Sequence, residues 1–281
     1  MKEITEFRVN EQFASMLLGN DEGKKMGYSV RVIDLDTDDP RYPDIGRLDQ
    51  EVSAETGKPF FWSWRTRREY SDEEIASADL FRFEVRSFFE PAGEECGTEY
   101  DESMACPECG AGAAQVGPLV LARSRIPKGK DISETIAGEM VVSRRVVELF
   151  RRHKVTGIDL EQVRVNRGRE VSEEWFQLRV PTSEAEIVGP PTRVGITPFD
   201  EDPEGKCRCS RGDLIGLNLL SEVSIRKDSR GEADFVASKQ YIGTRRGLLR
   251  PRRVVLISPR VRQLLVDENV RAFETDVAHM V

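Results

Sequence analysis

Apolar residues alternate with polar ones in several short stretches of this chain and recur at helical spacing in others. Residues 28–36, YSVRVIDLD, are apolar and β-branched enough for a strand, and the turn formers of TDDPRYPDIG follow them. GRLDQEVSAETG suits a short helix that stops at Gly57. In FFWSWRTR the alternation puts Phe60, Trp62 and Trp64 on one face. YSDEEIASADL opens with Ser71 at an N-cap position and Glu74 three residues on, a capping box with acids in the first turn. The most regular alternation is LFRFEVRSFFE, which aligns Phe81, Phe83, Val85, Ser87 and Phe89 along one side of a predicted strand.

A longer pattern recurs. VVSRRVVELFRRHKVTGI at 141–158 returns as LISPRVRQLLVDENVRAF at 256–273. Ser143 matches Ser258, Arg145 matches Arg260, Val146 matches Val261, Leu149 matches Leu264 and Val155 matches Val270. Val146, Leu149 and Phe150 form the i, i+3, i+4 stripe of a helix, and Val261, Leu264 and Leu265 repeat it. Each copy has a serine placed as N-cap, and Pro259 falls at N1 in the second. An alternating segment follows each helix, through Ile158 and Leu160 in one and Phe273, Val277 and His279 in the other. The pattern predicts a pseudo-repeated strand–helix–strand unit, at 141–165 and again at 254–281. Between the copies, PTSEAEIVGPPTRVGITPFDEDPEGK is rich in proline, which denies a ladder or helix its donors and predicts a long connection. GLNLLSEVSI then sets Leu217, Leu219, Val223 and Ile225 on one side, and DFVASKQYIG and RRVVLIS supply further strands. The expected fold is α+β with mixed sheets, divided into an N-terminal α+β domain over 1–92 and a larger domain over 93–281.

Composition narrows the class. A chain of 281 residues, 38% apolar and 33% charged, has the make-up of a soluble globular protein able to bury a sizeable core. MKEITEFRVNEQ lacks the apolar stretch of a signal peptide, and no run reaches membrane-spanning length, so a cytoplasmic protein is expected. The net charge of −8 opposes non-specific binding to a phosphate backbone. The acidity concentrates between Glu69 and Glu102, where Arg82 and Arg86 are the only arginines. Such a stretch serves either as a solvated face or as a surface for a basic protein partner, with Trp62, Glu73, Glu74, Glu94 and Glu95 as the contact residues.

The cysteines change the picture most. Five in a chain this long are too few for a disulfide scaffold, and their pairing favours a metal. In MACPECGAG, Cys106 and Cys109 have the spacing that turns two thiolates towards one ion, and Gly110 lets the chain leave the turn with positive φ. Two sulfurs do not complete a tetrahedral site. KCRCSRGD offers Cys207 and Cys209, EECGTEYD offers Cys96, and Asp213 is an oxygen donor in reserve. Cys106, Cys109 and Cys209 form the expected set, with Cys207 and Cys96 competing for the fourth position around a structural Zn2+. The alternative of a redox pair wants a helix opening at the cysteines, and CPECGAGAAQVGP is broken by glycines.

Catalytic signatures are missing. There is no Walker loop, no GxGxxG after a strand and no GxSxG elbow, and neither His153 nor His279 belongs to a ligand-spaced set. YIGTRRGLLRPRR carries Arg245, Arg246, Arg250, Arg252 and Arg253, the basis of an alternative reading as a zinc-ribbon nucleic-acid-binding protein.

From ACPECG to the C-terminus the layout resembles the myxobacterial paralogous family of double-CXXCG motif proteins, which are associated with immunity in polymorphic toxin systems. The likeness rests on the CxxCG at Cys106–Gly110, the capped VVSRRVVELF helix between two cysteine sites, and the strand-rich end around GLLRPRRVVLISPRVRQLL. The second motif reads CRCS instead of CxxCG, and the first ninety or so residues have no counterpart. The resemblance implies a non-enzymatic, zinc-stapled immunity or antitoxin-like protein that binds and neutralises a toxin partner.

Overall fold

The computed structural model describes residues 1–181, 184–202, 207–215 and 218–281. Short helices are set among antiparallel and mixed sheets, an α+β fold. The chain forms two compact units, Met1–Ser77 with Gly195–Glu201, and Ala78–Val194 with Asp202–Val281. No helix among the described residues is long and apolar enough to cross a membrane.

In the smaller unit, β1 (Lys2–Asn10), β2 (Lys24–Met26), β3 (Val30–Asp36) and β4 (Phe61–Glu69) form an antiparallel sheet in the order β2-β3-β1-β4. Helix α1 (Tyr42–Thr56) buries Ile45, Leu48 and Val52 in the same core as Phe7, Ile33, Leu35 and Phe60. It starts earlier than the sequence pattern indicates, because Pro43 occupies the first turn, where its missing N–H has no partner to serve. Gly57 ends it at φ 69°. Phe199 stacks on Phe7 with ring centroids 6.0 Å apart. Gly46 permits that approach, since a Cβ there would lie 2.6 Å from the Phe199 ring. Trp62 does not share a face with Phe60. The β1–β4 register passes from Arg8 opposite Ser63 to Val9 opposite Phe61, so Trp62 is the bulged residue and is 53% exposed. Helix α2 (Asp72–Ser77) has the expected box: Ser71 N–H donates to Glu74 Oε2 at 2.8 Å, and Glu74 N–H to Ser71 Oγ at 3.2 Å.

The larger unit begins with β5 (Leu80–Val85), β6 (Phe88–Phe89), the one-turn α3 (Gly93–Cys96), and the pair β7 (Glu99–Asp101) and β8 (Ala114–Val116). β9 (Ile132–Thr135), β10 (Met140–Ser143), α4 (Arg144–Arg152), β11 (Asp159–Val165) and β12 (Glu170–Arg179) follow. After the connection come β13 (Val223–Ile225), β14 (Phe235–Ile242), β15 (Arg252–Ile257), α5 (Pro259–Asp267) and β16 (Phe273–Met280). Two five-stranded sheets result, β11-β12-β10-β9-β6 and β13-β16-β5-β15-β14. Unit boundaries therefore fall at Ser77 and not near residue 92, because β5 is hydrogen-bonded between β15 and β16. The alternation through Phe89 is split, its last residues leaving as β6 to pair with β9 in the other sheet.

The repeated segments occupy matching places. Val142 of β10 lies between Ile132 and Phe176, and Ile257 of β15 lies between Phe235 and Phe81. Gln162 opposes Phe176 as Val277 opposes Phe81, so β12 has the role in one sheet that β5 has in the other. One copy closes with a strand that follows its helix; the other closes with a strand from before both copies. Ser143 and Ser258 both cap their helices, accepting from Val146 and Val261 N–H.

The copies also interlock. Asp131 accepts from Arg145 Nη2 at 2.8 Å in its own copy and from the backbone N–H of Arg271 at 2.9 Å in the other. Asp234 pairs with Arg260 and Ser258 Oγ in its copy and accepts from Thr156 N–H at 3.0 Å. Arg145 Nη1 donates to the carbonyl of Glu268, the C-cap of α5, and Arg260 Nη1 to that of His153, the C-cap of α4, both at 2.9 Å. Part of the proline-rich connection is ordered against this unit, Ala185 bridging Ser238 and Ile187 bridging Ile225. Leu217 lies outside the described residues.

Candidate metal centre

β7 and β8 pair from Glu99–Val116 to Asp101–Ala114 and so bracket the first cysteine loop. Inside it, Cys106 N–H donates to the Ala111 carbonyl at 2.7 Å and Gly110 N–H to the Cys106 carbonyl at 2.8 Å. Gly110 sits at φ +78°, and a Cβ there would meet Arg245 Cβ at 2.7 Å, so glycine is required by both conformation and space. The second loop turns in a shorter span. Cys209 N–H donates to the Asp213 carbonyl at 3.0 Å, and Gly212 N–H donates to the Cys209 carbonyl at 2.8 Å. Ser210 N–H to Glu108 Oε2 (3.2 Å) and Arg211 Nη1 to the Met104 carbonyl (2.7 Å) tie the two loops together. Arg245 N–H adds a third tie, to the Cys109 carbonyl at 2.8 Å.

These turns bring the sulfurs of Cys106, Cys109 and Cys209 within 4.8 Å of one another, with the residues 2%, 1% and 5% exposed. Asp213 stands beside them, its Oδ2 3.6 Å from Cys209 Sγ and 3.9 Å from Cys109 Sγ. Its other oxygen accepts from Tyr241 N–H at 2.8 Å, which fixes the carboxylate's direction. Backbone N–H groups of Cys109 and Glu108 hold the Cys106 thiol below its ordinary pKa, while burial pushes the Cys109 thiol up to about 12. One sulfur accepts the negative charge readily and its neighbour resists a second. A cation among three converging thiolates removes that conflict, and such a group could hold a metal ion.

Cys207 and Cys96 stand outside this group. Cys207 is exposed on the arm that precedes the turn, where Ile215 N–H binds its carbonyl, whereas Cys209 begins the turn and faces inward. Cys96 ends α3 as a half-buried thiol whose pKa is raised by burial. Neither of them joins the three converging sulfurs, and Asp213 approaches two of the three, Cys209 and Cys109. A Cys-x-x-Cys knuckle starting at Cys209 would place its second ligand at Gly212, and the carboxylate comes from the next residue.

Around the loops four of the five arginines of the run have internal partners, and Arg246 is exposed. Arg245 pairs with Glu102, and Arg250 donates to Glu94 Oε2 (2.7 Å) and Glu102 Oε1 (3.1 Å) with its guanidinium 4.0 Å from the Tyr100 ring centre. Arg252 reaches Glu134 at 2.5 Å, and Arg253 lies over Tyr241. Several of the acids are equally engaged. Glu94 belongs to Arg250, Glu95 accepts from Ala92 N–H at 2.8 Å, and Glu74 binds the terminal amine of Met1 at 2.5 Å. Trp62 and Glu73 remain exposed, both in the smaller unit. Comparison with protein-family profiles and with curated proteins gives no match for this chain.

Proposed function

We propose that this chain is a non-enzymatic binding protein whose larger unit is stapled by one structural zinc ion held by Cys106, Cys109, Cys209 and Asp213. The burial of all three sulfurs carries the reading, because a closed donor set leaves no position for substrate or activated water. Zinc suits soft thiolates completed by one oxygen, and Zn–S bonds of about 2.3 Å put the sulfurs about 3.8 Å apart, a small contraction of the observed cluster. Trp62 and Glu73 supply the partner contacts, since Glu74, Glu94 and Glu95 are already occupied. The resemblance to double-CXXCG proteins favours a basic toxin as the partner, neutralised in the cytoplasm by occlusion. Four of the five arginines of 245–253 already have internal partners, which disfavours the nucleic-acid alternative.

Native mass spectrometry of the protein purified from its own host without chelator tests this. One zinc and one stoichiometric protein companion are expected, with the companion lost in Trp62→Ala and Glu73→Lys. A companion retained by both variants, or none at all, overturns the partner assignment.

A further inference from the structure

A second surface lies wholly within the larger unit. A cleft of about 1690 Å³ opens between the segment around Arg123–Lys130, the start of α4 and the turn joining β11 to β12. Its walls carry eight cations and four carboxylates, the reverse of the balance in a chain whose net charge is −8. Three of the four carboxylates are paired with arginines, and Glu95 keeps its charge while capping a backbone N–H. Glu174 pairs with Arg123, Asp131 with Arg145 and Arg271, Glu94 with Arg250, and Glu95 caps Ala92 N–H. Lys128, Lys130, Arg144, Arg167 and Arg169 are exposed and have no carboxylate partner among the described residues. Arg144 Nε donates to the neutral carbonyl of Glu173 at 2.7 Å.

Backbone conformation points the same way. Asn166, Arg167 and Gly168 all have positive φ, at 52°, 56° and 78°. Asparagine and glycine tolerate that region, but an arginine enters it at a cost that a second asparagine or glycine would reduce. The residue there nonetheless places a cation at the mouth of the cleft.

We infer that this cleft binds an acidic peptide segment of a partner protein. Its volume exceeds the roughly 300–1,000 Å³ of small-molecule sites, and guanidinium groups pair with carboxylates in forked, charge-assisted hydrogen bonds. A nucleic acid fits less well. Trp175, the aromatic side chain of the lining, is 6% exposed and offers no stacking platform, and a long polyanion would meet the repulsion of a chain with net charge −8. A short segment is governed by the nearest charges, because screening is effective beyond about 8 Å at physiological salt. The cleft shares no residue with the proposed contacts Trp62 and Glu73, and its failure would leave the metal assignment untouched.

Fluorescence anisotropy with a short fluorescein-labelled polyglutamate peptide tests the inference. The double variant Lys128→Glu, Arg169→Glu is compared with Lys24→Glu, Lys227→Glu, which changes the net charge equally on exposed residues outside the cleft. Saturable, salt-sensitive binding is expected, weakened at least about tenfold by the first pair and little by the second. Melting temperatures confirm that both pairs fold, and Lys128→Gln, Arg169→Gln carries the same comparison if the reversed pair does not. Absence of binding, or equal losses in the two pairs, overturns the proposal. So does an oligothymidylate of equal charge that binds more tightly than the peptide and is lost with the cleft cations, which would assign the cleft to nucleic acid.

Discussion

Asp131 and Asp234 do the same work at corresponding places in the two copies, and they set part of the pH response. Burial alone would raise both carboxyls, but hydrogen bonds from Arg145 and the Arg271 N–H at one, and from Arg260 and the Thr156 N–H at the other, hold them below the usual range. A depressed folded-state pKa contributes stability above the unfolded value of about 3.9 and loses it as pH falls through the folded value. Glu134 and Glu139 act oppositely. Burial raises both, so their contribution is complete below about 4.3 and lost as pH rises through their folded values. Urea denaturation across pH should show a steep acid limb that Asp131→Asn and Asp234→Asn flatten; an unchanged limb in both would remove this pair from the account. Deleting either carboxylate with alanine should cost about 2–3 kcal/mol, as its charged hydrogen bonds are lost. A further strain sits at Ala272, whose φ is +75° where the matching residue of the other copy, Gly157, has +82°. Ala272→Gly should stabilise the protein by up to about 1 kcal/mol, and a fall in melting temperature would contradict this. None of these pairings was legible in the chain, since Asp131 and Arg271 meet only once both copies have folded.

At the scale of elements, the pattern in the chain went much further. The helical stripes of α4 and α5, their serine caps and the capping box at Ser71 stand where hydrophobic spacing and local hydrogen-bonding chemistry put them. Local signals suffice there because caps and stripes depend on neighbours within a turn. Ser143→Ala and Ser258→Ala should each cost about 1 kcal/mol, and by similar amounts because the two caps are equivalent. Thermal melts of the single and double variants check this, and a tenfold disparity in their effects would deny the equivalence. Strand pairing depends on distant partners. The alternation of residues 80–89 was visible, but nothing local says that β5 pairs with β15 and β16 while β6 joins another sheet. Trp62 fits an alternating face until the bulge opposite Arg8 and Val9 turns it outward.

For the molecule as a whole, the cysteine cluster closes a long loop, joining the segment at 106 to the one at 209 and, through Arg245, to the turn before β15. Three of its donors were legible because Cys-x-x-Cys spacing and thiolate chemistry are local signals. Asp213 is a reserve oxygen donor in the sequence, but its approach to two of the sulfurs was not legible, because its carboxylate is aimed by Tyr241, a residue on a separate strand. The division of the chain was equally hidden, since Gly195–Glu201 belongs to the smaller unit through packing such as that of Phe199 on Phe7. Metal removal should loosen the larger unit, and a strong chelator is expected to lower its melting temperature while Asp213→Ala weakens retention of the ion.

The most direct measurement is the zinc content of the purified chain and of its single cysteine variants, by elemental analysis beside native mass spectrometry. One zinc per chain is expected, lost in Cys106→Ser, Cys109→Ser and Cys209→Ser and kept in Cys207→Ser and Cys96→Ser. A wild-type chain that carries no zinc and takes none up, or a Cys207→Ser chain that loses it, would contradict the assignment.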